Sequence, residues 1–154
     1  MIPPMIKLNY AALATGASLD SGTGNVTLFN VLEEVRVPQD RLPIAIPEVA
    51  FVGSFTRLEP TVTKMGFTLD YIMPNGKTIT VNKSEPQFQG DRIRIVLRLN
   101  GMPVEAFGRH KLRLIWRWGH LALAGSEEDD REASFDIFLD VLPFDAAPTG
   151  SAIN

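Results

Sequence analysis

Two stretches of the chain alternate cationic and apolar residues: Arg92-Ile93-Arg94-Ile95-Val96-Leu97-Arg98-Leu99 and Arg109-His110-Lys111-Leu112-Arg113-Leu114-Ile115-Trp116-Arg117. In an extended strand successive side chains point to opposite faces. Ile93, Ile95, Leu97 and Leu99 therefore share one face, and Arg92, Arg94 and Arg98 the other. In the second stretch His110, Leu112, Leu114, Trp116 and Trp118 fall on one side and Arg109, Lys111, Arg113 and Arg117 on the other, interrupted only by Ile115. The pattern predicts a half-buried antiparallel sheet.

The rest of the chain fits the same period. Ile6, Leu8, Tyr10 and Ala12 alternate with more polar or smaller neighbours in a first strand, and the run Asp20 to Asn25 reverses the chain. A second strand is expected from Val26 to Val37, with its doubled apolar residues marking a bulge or burial on both sides; Pro38 ends it. Pro43 and Pro47 make Ile44-Ala45-Ile46 an edge or an irregular approach to a stronger strand at Val49 to Phe55. Met65 to Met73 alternates again, and Pro74-Asn75-Gly76-Lys77 supplies a hairpin before Thr78 to Val81. The basic strands follow, joined through Asn100-Gly101-Met102-Pro103. A last strand, Ser134 to Val141, comes after an acidic loop at Gly125 to Arg131. About eight strands without a helical period predict an all-β fold, a single antiparallel β-sandwich over residues 1–144, with 145–154 a tail.

With 154 residues the chain suits one domain, and a folded chain of this size buries about 68–70% of its unfolded surface. It has no cysteine, which removes disulfides, thiolate metal sites and cysteine nucleophiles. No apolar run approaches the length of a membrane span, and Lys7, Asn9 and Tyr10 interrupt the start too early for a signal peptide. The expectation is a cytoplasmic protein that uses no membrane. Its net charge is −3, yet residues 92–117 hold seven cations and one anion, Glu105, so that segment carries +6 and the remainder −9. Any attraction to an acidic partner must be local.

If the two basic strands are neighbours, Arg92, Arg94, Arg98, Arg109, Lys111, Arg113 and Arg117 form one binding face for phosphate, a nucleic-acid backbone or an acidic protein. The competing reading is self-neutralisation. Asp136 and Asp140 alternate outward on the last strand, Glu132 precedes it, and that strand is expected to pair with the second basic stretch. Nucleic acid is disfavoured because Trp116 and Trp118 share the apolar parity, leaving Phe138 the one nearby aromatic with outward parity. The run Glu127 to Asp130 lacks the spacing and glycine of an EF-hand loop. His110 and His120, ten residues apart on one strand, would stand about 33 Å apart, too far to share a metal. Gly16 to Asp20 and Gly53 to Phe55 fail as nucleophile elbows, and Gly22-Thr23-Gly24 is no phosphate loop. No metal, cofactor or catalytic residue is assigned, and the chain is read as a non-enzyme.

Gly108-Arg109-His110-Lys111-Leu112-Arg113-Leu114 resembles the Gly-x-Tyr-x-apolar-x-apolar entry into a late strand of immunoglobulin-like sandwiches, with His110 in place of the corner tyrosine. Over Ile6 to Leu142 the order of features, including Leu28-Phe29-Asn30-Val31 and the hairpin at 74–77, is similar to an uncharacterised family of small bacterial β-sandwich proteins. The resemblance implies an immunoglobulin-like or C2-like fold and brings no activity with it. The expected function is a non-catalytic binding module for a protein partner, using a sheet face or loops. The alternative is self-association, as a homo-oligomeric structural subunit pairing through edge strands such as Ile44 to Phe55.

Overall fold

The structure, a computed structural model, describes residues 4–119 and 131–144. Among them are nine strands and one short 3-10 turn: β1 (Ile6–Leu19), β2 (Val26–Val31), β3 (Glu34–Pro38), the turn at Gln39–Arg41, β4 (Ile44–Arg57), β5 (Gly66–Ile72), β6 (Thr78–Ser84), β7 (Arg92–Val104), β8 (Gly108–Trp118) and β9 (Arg131–Phe144). They form two sheets. One has four strands in the order β2-β1-β4-β7 and is antiparallel throughout; the other has five in the order β3-β9-β8-β5-β6. The β3–β9 pairing is parallel, so the second sheet is mixed.

The two sheets share one core. Leu13, Phe51 and Phe55 from the first meet Phe67, Leu69, Tyr71, Leu112, Leu114 and Leu139 from the second, all essentially without exposed surface. Phe55 stands edge-on to both Phe67 and Trp116, with centroids 6.0 and 5.4 Å away. Polar tips of the aromatic residues also cross between sheets: the Tyr71 hydroxyl donates to the Pro103 carbonyl at 2.7 Å, and Trp116 Nε1 donates to the Ile6 carbonyl at 3.4 Å. Both satisfy groups that would otherwise be buried unpaired. Burial, reinforced by the charge of Glu105, pushes the Tyr71 hydroxyl well above its ordinary pKa, so it stays a donor.

Local chemistry sets the turns. At the β5–β6 hairpin Gly76 takes a left-handed φ of 87°, Gly76 N–H donates to the Met73 carbonyl and Asn75 Oδ1 accepts from Lys77 N–H, as the Asn-Gly signal anticipates. At the β1–β2 turn Asp20 Oδ1 accepts from the N–H groups of Gly22 and Thr23, which holds its carboxyl below the usual range.

Three expectations need correction. The single strand expected from Val26 to Val37 is two strands in different sheets. Asn30 adopts φ 52°, the pairing with β1 ends at Val31, and after Leu32 and Glu33 the chain crosses to lie beside β9. This crossing accounts for the doubled apolar residues, for the ninth strand and for the parallel pair. Second, Ile44 to Phe55 is an edge only in its first half: within β4, Ile44–Val49 pair with β7 alone among the described residues, whereas Ala50–Thr56 are flanked by β1 on one side and β7 on the other. Pro47 is tolerated because β1 stops pairing at Ala14↔Ala50, so its missing N–H breaks no ladder on that side. Third, Asn100 to Pro103 continues β7 rather than leaving it, and pairs with Ala45, Ile46 and Glu48 of β4.

Candidate functional site

The two basic strands are not neighbours. β7 is the terminal strand of the four-stranded sheet, and β8 lies between β9 and β5 in the other. Both show the alternation read from the sequence: Ile93, Ile95, His110, Leu112, Leu114, Trp116 and Trp118 are buried while Arg92, Arg98, Arg109 and Arg117 are exposed. The seven cations therefore divide into two sets on separate sheets, and the single seven-cation face does not form.

On β8 the three outward arginines are neutralised by the adjacent strand, while Lys111, opposite Phe138, makes no ion pair among the described residues. Arg109↔Asp140, Arg113↔Asp136 and Arg117↔Glu132 are directly opposed in the antiparallel register of β8 and β9. Arg109 and Arg113 each donate two hydrogen bonds to their carboxylates, at 2.9 and 3.2 Å and at 2.9 and 3.1 Å, and Arg117 Nε reaches Glu132 at 2.7 Å. The Arg113 bond holds the Asp136 carboxyl below its ordinary range against the opposing effect of burial, and Lys111 adds to the pull. Arg109 does the same for Asp140 and also covers the exposed ring of Phe138, with its guanidinium 4.7 Å from the centroid. Asp70, opposite Arg113 on β5, supplies a second negative neighbour.

On β7 the arrangement differs. Arg94 is partly buried, and its Nη1 donates to the Gly24 carbonyl at the tip of the β1–β2 turn. Beyond Ala14↔Ala50, β1 leaves β4 and continues with β2 alone. The contact with Arg94, which sits across from Ser54, means that this arm doubles back over the outer side of the sheet. Ala50, Val52 and Ser54, all of outward parity, are consequently as buried as the core. Arg94 is thus a tether for the arm. Arg92 and Arg98, two positions before it and four beyond it on the same face, make no ion pair or hydrogen bond among the described residues. Glu48 shares the face, diagonal to Arg98, and is not within ion-pair distance. A cavity of about 230 Å³ opens between the arm and β7, bounded by Gly16, Phe29, Glu48, Arg98 and Asn100.

Other concavities carry less chemistry. A dent of about 420 Å³ over the glycine position Gly66 is ringed by Lys64, Lys83, Glu85 and Arg117, but Arg117 is engaged by Glu132 and Lys64 faces Glu85 at 3.9 Å. An apolar groove of about 610 Å³ runs between β1 and β9, where Tyr10, Leu58 and Phe135 are each about half exposed. Phe135 has the inward parity expected of it, yet it lies where neither strand has a second neighbour: β2 pairs only with Ala14–Leu19 and β3 only with Asp140–Phe144.

His110 is fully buried, stacked on Tyr71 at 5.8 Å, with Nδ1 3.2 Å from the Gly108 carbonyl and Nε2 without a partner among the described residues. Burial lowers its pKa, so it sits neutral, with the proton on Nδ1 donating to Gly108. No group of three or more His, Cys, Asp or Glu is arranged to hold a metal among the described residues. His120, the acidic run Glu127 to Asp130 and the tail 145–154 lie outside the described residues. No helix among the described residues is long and apolar enough to cross a membrane. Compared with known proteins, the chain matches no family model and no curated protein.

Proposed function

We propose that the chain is a non-catalytic binding module, an immunoglobulin-like or C2-like β-sandwich whose working surface is the outer side of β7. One observation carries this reading. Each arginine of β8 is opposed in register by a carboxylate of β9, whereas Arg92 and Arg98 of β7 are opposed by Thr56 and Ala50 and have no carboxylate within ion-pair distance among the described residues. Of the six arginines among the seven cations, then, these two make neither an ion pair nor a hydrogen bond among the described residues, while Lys111 lies in the field of Asp136; they offer their charge to another molecule in a protein whose net charge is −3. An acidic protein surface is the partner class that fits. The paired cations of β8 hold the second sheet together and are not part of the surface.

Titration with poly-L-glutamate at low ionic strength tests the reading. Binding should fall about tenfold or more in the double variant R92E/R98E, and should be retained in R109Q/R113Q, which removes cations already spent on Asp140 and Asp136. Equal loss in both variants, or no binding by the unaltered protein, would sink the assignment of function to β7.

A further inference from the structure

Of the four terminal strands in the two sheets, three are poor templates for pairing with another chain. β2 has six residues, β3 has five and runs into Pro38, and β6 has seven and loses register with β5 between Leu69 and Asp70. Short length, proline and bulges are the usual means of blunting an edge. β7 has none of them over most of its length. It runs for 13 residues, pairs with β4 in one unbroken register from Thr56↔Arg92 to Glu48↔Asn100, and contains no proline before Pro103. Its second side pairs with no strand among the described residues. Alternate N–H and C=O groups along that side are therefore free to accept a further strand.

We infer that β7 is the docking edge for an extended acidic segment of another protein, which adds as a fifth strand beside it; this rests on the binding-module reading above. Side-chain chemistry fixes the occupant. Outward positions along β7 read Arg92, Arg94, Val96 and Arg98, with Arg94 already bound to Gly24 and Val96 36% exposed. Carboxylates six residues apart on the incoming strand would stand beside Arg92 and Arg98, with small neutral residues between them. Inward positions read Ile93, Ile95, Leu97 and Leu99, of which the last two are only partly buried, so apolar residues at the alternate positions would extend the core. A second copy of β7 is the poorer occupant. Antiparallel pairing about Val96 sets Arg94 against Arg98, pairing about Ile95 sets Arg92 against Arg98 and pairing about Arg98 sets that arginine against itself, which leaves pairing about Leu97 as the one central register without opposed arginines; like charges directly opposed are destabilising. The same arginines that attract an acidic segment thus repel another molecule of this chain.

The probe is a labelled, end-capped peptide Glu-Val-Thr-Val-Thr-Val-Glu, followed by fluorescence anisotropy at low ionic strength. Two isomers N-methylated at alternate residues block opposite edges of the peptide strand. Strand addition requires that one isomer lose affinity about tenfold or more while the other binds like the parent, and that R92E/R98E weaken the parent peptide by a similar factor. Equal binding by both isomers overturns strand addition and leaves an electrostatic module standing, as does binding of polyglutamate without binding of the peptide. Failure of both probes to bind removes the module and the inference together. A dimer in sedimentation that the peptide dissociates would make a second copy the occupant and overturn the acidic one.

Discussion

At His110 a polar ring is enclosed with one nitrogen satisfied by Gly108 and the other facing no partner among the described residues. A neutral imidazole is tolerated there and an imidazolium is not. The unfolded chain binds a proton near the ordinary pKa of about 6.5, while the folded chain resists it to lower pH, so the contribution is fully present above about pH 6.5 and is lost as pH falls below it. Urea midpoints should therefore decline from pH 7.5 to pH 5.5, and His110→Phe should flatten that decline whatever it does to the midpoint at pH 7.5; an unchanged slope would remove His110 as the cause. Gly53 shows a different constraint. A Cβ there would come 3.1 Å from Phe51 Cζ and 3.3 Å from Phe55 Cε2, so Gly53→Ala forces both rings to shift and should cost about 1–3 kcal/mol in chemical denaturation. The inward parity of His110 is legible in the sequence because it depends only on alternation. Its stacking on Tyr71 and the need for glycine between two phenylalanines are not, because they depend on which residues meet across strands and on how their rings pack.

The β8–β9 ladder and β7 carry similar arginines with opposite consequences. A double-mutant cycle on R113Q and D136N should give a coupling of about 0.2–1 kcal/mol that shrinks in salt, since both side chains retain solvent contact. Arg92→Gln and Arg98→Gln should leave stability within about 0.5 kcal/mol, because nothing is lost when they go. Asp136 adds a pH term of known sign. Its carboxyl is held below the ordinary value, so the pair's contribution is present above about pH 3.9 and is lost as pH falls further. The face of each strand, and the opposition of Arg109, Arg113 and Arg117 to the acids of the last strand, follow from residue alternation and a local hairpin. The separation of β7 from β8 does not. The link at Glu105–Phe107 carries the chain from one sheet to the other, and consecutive strands with the same alternation read alike whether they pair or face each other across a core. The break between β2 and β3 was hidden for a related reason: Asn30 in the left-handed region and the turn at Leu32–Glu33 leave no proline or glycine to mark a change of sheet.

For the whole molecule the arrangement of edges governs assembly. Each sheet ends in two strands, and of these four only β7 is long and regular enough to template another chain. What guards it is charge. Arg92 and Arg98 stand exposed at positions where self-pairing would bring cations together, and Arg94 holds the β1–β2 arm over the neighbouring face. Guarding by charge differs from guarding by shape because salt and substitution can remove it. The unaltered protein should sediment as a 17.0 kDa monomer at low ionic strength. R92T/R98T keeps strand propensity while deleting the repulsion, and should self-associate through β7 in a concentration-dependent way. Raising the salt should move the unaltered protein in the same direction, more weakly, as the Debye length contracts from about 30 Å at 0.01 M to about 8 Å at physiological strength. If R92T/R98T remains monomeric at every concentration while R109Q/R113Q associates, the vulnerable edge is elsewhere, and the half-open seam between β1 and β9 becomes the surface that governs association.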